Sequence, residues 1–175
     1  MDSIPAKMGE TLRKLERLEI SVGWIDGNGS ASVALGNLLF RRATGKTTQA
    51  SRLPATQALI ARTLNYGREA GITAEGRKYP AIPPRPFMRF AREIFERKAP
   101  RIWAKLVPQV LSGRMTVETF AEQVAIRMKD AIVEAIRTGN YAPLSPVTIE
   151  KKGSAQPLID TGTMVNSVTF EVRTG

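Results

Sequence analysis

Asp160, Thr161 and Gly162 form an Asp-Thr-Gly triplet near the C-terminal end of the sequence, a pattern that aspartic proteases use for catalysis. Such an enzyme needs two carboxylates on tight turns, close enough to share a proton, and a two-fold dimer could supply one from each chain. It also needs further strands and a flap after the triplet to build a cleft. Thirteen residues, 163–175, follow Gly162 here. They suffice for one strand, Ser167 to Arg173, with Val168, Phe170 and Val172 on one face and Ser167, Thr169, Glu171 and Arg173 on the other. The alternative is conformational: Asp160 accepts backbone N–H bonds at the start of a short helical turn, and Gly162 lets the chain bend. The short remainder favours the turn.

Other chemistries are poorly served. The 175 residues include no Cys and no His, which removes thiol nucleophiles, imidazole-dependent triads, the usual zinc ligands and a histidine pH switch. "TGKTT", Thr44 to Thr48, ends like a phosphate-binding P-loop, but the first glycine of that motif would stand at position 40, which is Phe40. Glu118 and Glu122 lie one helical turn apart on a face expected to be solvated, not across a cleft as acid–base pairs must. No acidic cluster offers oxygen ligands to a metal. Most hydrolase mechanisms are removed on these grounds.

The positive signal is basic. Lys and Arg number 26 against 16 Asp and Glu, a formal charge of +10, which attracts polyanions and acidic protein surfaces. Arg41, Arg42, Lys46 and Arg52 share one turn-rich segment, and Arg85, Arg89, Arg92, Arg97, Lys98 and Arg101 surround a helix. Phosphate backbones need only such cations within reach. No recognition-helix motif or aromatic platform for sequence-specific reading is present. No apolar run reaches the roughly 20 residues that span a bilayer, so a soluble protein made in a cytoplasm is expected.

The elements that must position these residues follow from periodicity. Met8 to Arg17 predicts a basic amphipathic helix carrying Met8, Leu12, Leu15 and Leu18. From Leu18 the pattern alternates, Leu18, Ile20, Val22 and Trp24 on one side and Glu19, Ser21 and Gly23 on the other, as in a half-buried strand. Asp26 to Ser30 signals a turn; within Ala31 to Ser51, Val33, Leu35, Leu38, Leu39 and Phe40 fit a strand or a helix, and the basic part that follows reads as a mobile loop. A helix is expected from about Pro54 to Tyr66, with Ile60 and Leu64 inward and Gly67 ending it. Pro86 starts a long helix with Phe87, Phe90, Ala91, Ile94 and Phe95 in a stripe, which Pro100 and Pro108 should break or kink. A second helix, Val117 to Thr138, has Thr116 as N-cap and Gly139 as stop. Asn140 to Gln156 reads as an exposed arm, with one helical turn at Pro146 to Lys151 and a partner to account for its length.

Two segments taken together, "IPPRPFMR" (Ile82 to Arg89) and "PLIDTGTMVNSVTFEV" (Pro157 to Val172), resemble the neck or tail-completion proteins of tailed bacteriophages, the virion morphogenesis or minor tail protein family. The order of elements is similar over nearly the whole chain: an N-terminal helix, a strand like "ISVGWID", a short helix ending at Tyr66-Gly67, two long helices, "PLSPVTIEKKG", then "LIDTG" and a last strand. Ala31 to Ser51 departs from the family by its length. The resemblance implies an α+β fold, a small antiparallel sheet packed against long helices in a single domain over 1–175. It implies a homo-oligomeric ring, a hexamer by family likeness, at the head–tail junction of the virion, with no catalysis and no cofactor. Its partners would be a head-closure or connector protein, the tail tube or tail terminator protein, and packaged DNA in the ring's passage. On that reading Arg41, Arg42, Lys46 and Arg52 are candidates to face DNA. Tyr141, Leu144, Ile149, Lys151 and Lys152 are candidates for subunit or partner contact. Pro84, Arg85, Pro86, Phe87, Asp160, Thr161 and Gly162 form the structural motif. The alternative is a basic nucleic-acid-binding module acting off the virion.

Overall fold

A computed structural model describes residues 4–25, 57–160 and 162–174 of the chain. The expected turn at Asp26 to Ser30, the strand or helix over 33–40, the basic loop with Arg41, Arg42, Lys46 and Arg52, the "TGKTT" segment, Pro54 and Thr161 lie outside the described residues. Helix α1 (Ile4–Glu16) leads into strand β1 (Leu18–Gly23). Helix α2 (Gln57–Tyr66) precedes a small hairpin, β2 (Gly71–Ile72) and β3 (Lys78–Tyr79). Helices α3 (Phe87–Leu111) and α4 (Val117–Thr138) dominate the middle of the chain. Short helices α5 (Pro146–Lys152) and α6 (Thr163–Asn166) then lead to strand β4 (Thr169–Thr174).

The architecture is α+β, with two two-stranded antiparallel sheets among the described residues, β1–β4 and β2–β3. Strands β1 and β4 run in register from Leu18↔Thr174 to Gly23↔Thr169. Helix α4 packs on both of these strands and, most extensively, on α3. The apolar residues along α4 recur with helical period, and nine are buried: Val117, Phe120, Ala121, Val124, Ala125, Ala131, Ile132, Ala135 and Ile136. The expected stripe therefore includes Ala125 and Ile136 as well, while Met128 is half-buried. Thr116 caps this helix by accepting from the Thr119 N–H at 3.1 Å. The cap N–H of Gly139 closes it onto the Ala135 carbonyl.

The core has two parts bridged by the α3–α4 pair. The first half of α3 (Phe87, Met88, Ala91, Ile94) packs with the second half of α4, Val22 and Trp24 of the N-terminal region, and Leu158, Met164, Val165 and Val168. The second half of α3 (Ile102, Leu106, Val110) packs with Val117, Phe120 and Val124. This second cluster explains why Pro100 and Pro108 do not divide α3, which runs as one helix through both. Pro removes a donor and crowds the preceding turn, but Ile102, Leu106 and Val110 beyond Pro100 are buried with residues of α4, and that packing favours the helix continuing past it. Lys98 also ties α3 to Glu134 of α4, Nζ to Oε2, at 2.5 Å.

Two further expectations are corrected, and one element is new. Ser21 and Gly23 are buried, so β1 is enclosed on both faces at this end. A serine and a glycine carry too little side chain to mark that in a hydropathy pattern. Met8 and Leu12 on α1 are exposed, so the apolar stripe of that helix is only partly docked. The β2–β3 hairpin had no counterpart in the periodicity, because its strands are two residues long and its signal is the turn: Gly76, at φ 77°, donates to the Thr73 carbonyl.

Candidate functional site

The two segments that stand out in the sequence meet in one junction between the end of α2, the start of α3 and residues 139–160. The Pro-rich lead-in is extended, as residues before proline must be, and it lies along the end of α2. Arg68 and Ile82 exchange backbone bonds of 2.8 and 2.7 Å, and the Arg85 N–H donates to the Leu64 carbonyl at 2.9 Å. Gly67 allows this approach: it sits at φ 75°, and a Cβ there would come within 2.7 Å of the Ile82 oxygen.

Helix α3 has Pro86 at its N-cap and no side-chain cap of its own. Asn65 does that work from α2. Its side chain is buried, and Oδ1 accepts from the Met88 N–H at 3.1 Å, satisfying one of the donors left open at a helix start. Asn65 was not singled out in the sequence. Its signal is position: it follows the buried Ala58 and Ala61 on the inward face of α2, where an amide needs a partner.

Arg85 is a second correction. Instead of adding to the cationic helix surface, it is 4% exposed, and its Nε donates to the Ala142 carbonyl at 3.2 Å. Burial lowers its pKa from the usual value, though guanidinium stays charged at any ordinary pH. Phe87, beside it, is fully buried and meets Trp24 edge-on with ring centroids 5.7 Å apart. Pro86 is half-buried and Pro84 exposed.

Tyr141 is the third. Expected on an exposed arm, it is 9% exposed, stacks on Phe90 at 5.6 Å, and donates its hydroxyl to the Ala135 carbonyl at 2.5 Å. Burial pushes its pKa up to about 12. The ring lies over Gly139, where a side chain would not fit. The segment from Asn140 to Gln156 is therefore anchored rather than free. It is pinned at its start by Tyr141 and at its end by Gln156, whose Nε2 donates to the Arg137 carbonyl at 3.4 Å. Between them α5 spans Pro146–Lys152, one residue beyond the expected turn, capped by Ser145 accepting from the Thr148 N–H at 3.3 Å. Leu144 and Ile149 are half-buried, and only the backbone of Lys151 is described. Lys152 is half-buried, and its Nζ donates to the Gln156 carbonyl at 2.6 Å. Burial lowers the Lys152 pKa, Asp160 opposes that shift, and Arg85 adds to it.

Beyond α5, Leu158 adopts φ 65° with its side chain 7% exposed. That backbone conformation costs roughly 1–2 kcal/mol for a branched residue, which burial of a leucine offsets by about the same or more. The Asp-Thr-Gly triplet follows. Gly162, at φ 79°, is the N-cap of α6, as expected for the residue that lets the chain bend. Asp160 does not occupy the cap position and is exposed. Glu118 and Glu122 are exposed on α4, and the backbone and Thr116 hydroxyl bonds at the helix start lower the pKa of Glu118.

The junction combines a buried charge and stacked aromatic rings. An open hollow of about 430 Å³ lies between Tyr66, Arg68 and the Ile82–Pro84 run. Among the described residues no group of three or more acidic side chains is placed to hold a metal ion, and no helix is long and apolar enough to cross a membrane. Comparisons with models of protein families, with curated proteins and with solved structures give no match.

Proposed function

We propose that the chain is a structural protein of a tailed-phage virion that forms a ring at the neck, completes the tail and joins it to the head, with DNA passing through. The observation that supports this reading is the joint packing of the two segments that carry the resemblance. Phe87 of the first and Leu158, Val165 and Val168 of the second share one core cluster, although the sequence separates them by two long helices. In this reading the junction is scaffold and the exposed apolar side chains make the contacts. Val147 on α5 is 60% exposed and Tyr66 59%. Scattered apolar exposure is ordinary, but both side chains adjoin the junction.

Mass measurement and electron microscopy of the purified protein test the proposal. Closed rings, or assembly into rings on addition of a head-closure or tail-tube protein, are expected. A protein that stays monomeric alone and with such partners refutes it. The charge of +10 favours a second reading, a nucleic-acid-binding module acting off the virion. It predicts monomers or dimers that bind DNA with affinity falling steeply as salt rises.

A further inference from the structure

The cations along α3 fall into distinct kinds. Arg85, just ahead of the helix, is buried and bound to the Ala142 carbonyl. Arg89, Arg92 and Lys98 pair with Glu93, Glu96 and Glu134. Arg97, Arg101 and Lys105 are exposed, and among the described residues no ion pair engages them. No acidic residue occurs between Glu96 and the end of α3, so the second half of the helix leaves its charge open.

These three stand at i, i+4 and i+8. Each step rises about 6 Å along the axis and turns about 40° around it, so they make one slanting row. The rows on either side define it. Lys98, Ile102 and Leu106 lie toward α4, the first tied to Glu134 and the other two buried. Pro100, Ala104 and Pro108 lie on the other side, all exposed, with neither charge nor length to cover the cations. Like charges at i,i+4 repel and destabilise a helix. No carboxylate of the described chain is in ion-pair range to offset that repulsion, whereas a run of anions at matching intervals would.

We propose that the row of Arg97, Arg101 and Lys105 is a docking surface for the phosphate backbone of duplex DNA. Such binding needs cations in reach and no base contact, and the step of roughly 6 Å is close to the separation of successive phosphates on one strand. The low row of Pro100, Ala104 and Pro108 lets the backbone approach the helix. The inference rests on the DNA contact that both functional readings include and names the face that makes it. Ring formation is not required.

The test measures the affinity of the full chain for a short fluorescein-labelled duplex of arbitrary sequence, by anisotropy, as salt is raised. Each phosphate contact contributes about 0.9 to the slope of log K against log salt. Arg97→Gln, Arg101→Gln and Lys105→Gln together should lower that slope by about 2.7, so that over roughly a fourfold rise in salt the native protein loses about 40-fold more affinity than the variant. Lys7→Gln, Lys78→Gln and Arg137→Gln together remove equal charge from exposed positions on three other elements and should lower it by less than about 0.9. Gln keeps helix propensity, and circular dichroism checks the fold of both variants. Arg101→Gln alone, expected to lower the slope by about 0.9, carries the same test if the triple variant does not fold. A native protein that does not bind the duplex, a slope unchanged in the folded row variant, or an equal fall in the control overturns the proposal. Light scattering on the same samples reads the oligomeric state, so failure of the DNA surface and failure of the ring are told apart.

Discussion

Replacing Gly67 by alanine should cost far more than the same change at Gly76, and the difference isolates a single contact. Both glycines hold positive φ, 75° and 77°, so both substitutions incur the left-handed penalty of about 1 kcal/mol. At Gly76 nothing lies within 4 Å of the added carbon, and that penalty is the whole effect. At Gly67 the carbon would lie 2.7 Å from the Ile82 oxygen and 2.8 Å from the Pro84 nitrogen. Both are backbone atoms, held by the Arg68–Ile82 bonds, and neither can swing aside as a side chain does. Overpacking of this kind adds about 1–3 kcal/mol, so Gly67→Ala should lose about 2–4 kcal/mol in total. Urea unfolding followed by far-ultraviolet circular dichroism, compared at equal m-values, measures both variants. Faster amide exchange at Arg68 and Ile82 should accompany the larger loss. Equal costs at the two sites would refute the claim that the lead-in needs a bare backbone at Gly67.

Tyr141→Phe should cost about 1 kcal/mol at neutral pH through loss of the bond to the Ala135 carbonyl. Its pH profile should differ as well. The folded pKa of Tyr141, about 12, lies above the ordinary 10.0, so its contribution is full below pH 10 and is lost as pH rises from 10 through 12. Denaturation at fixed pH values should show that decline in the native protein and a shallower one in the variant. Pro100→Ala should raise stability by about 1–2 kcal/mol, because the exposed position gains a donor inside α3, read as a higher urea midpoint. Thr116→Ala should lower it by about 1 kcal/mol through loss of the α4 cap. Val147→Asp should leave the unfolding transition within about 0.5 kcal/mol of the native value, as exposed substitutions do, and should disrupt ring assembly if α5 contacts a neighbour.

Local signals carried much of the architecture. Helix α4 was readable from end to end because Thr116, the apolar period and Gly139 all speak within the helix itself. Strand β4 was readable from the alternation of Val168, Phe170 and Val172, and the bend before it from Gly162. What could not be read depends on distant partners. Arg85 looks like five other cations near it until Ala142 and the burial of the junction single it out. Tyr141 stands in a polar, proline-bearing stretch, and its place in the core is set by Phe90 on another helix. Asn65 is an ordinary helix residue until Met88 needs an acceptor. Proline at positions 100 and 108 states a local preference that packing on α4 overrides.

The pairing of β1 with β4 sets an order of events. During synthesis β1 is made before α3 and α4, and the strand that completes its sheet follows them. Helices α3 and α4 are neighbours in sequence and can associate soon after both exist, whereas contacts between distant segments must wait for a large loop to close. In the interval β1 carries open hydrogen-bonding groups beside Val22 and Trp24, the kind of edge that pairs with the wrong strand. The last step can be timed: the Trp24 indole donates to the Met164 carbonyl at 2.8 Å in the finished core. In a Trp103→Phe protein, where Trp24 is the one remaining indole, fluorescence should reach the native value after the helical circular dichroism does, and that lag is the window in which a chaperone would matter.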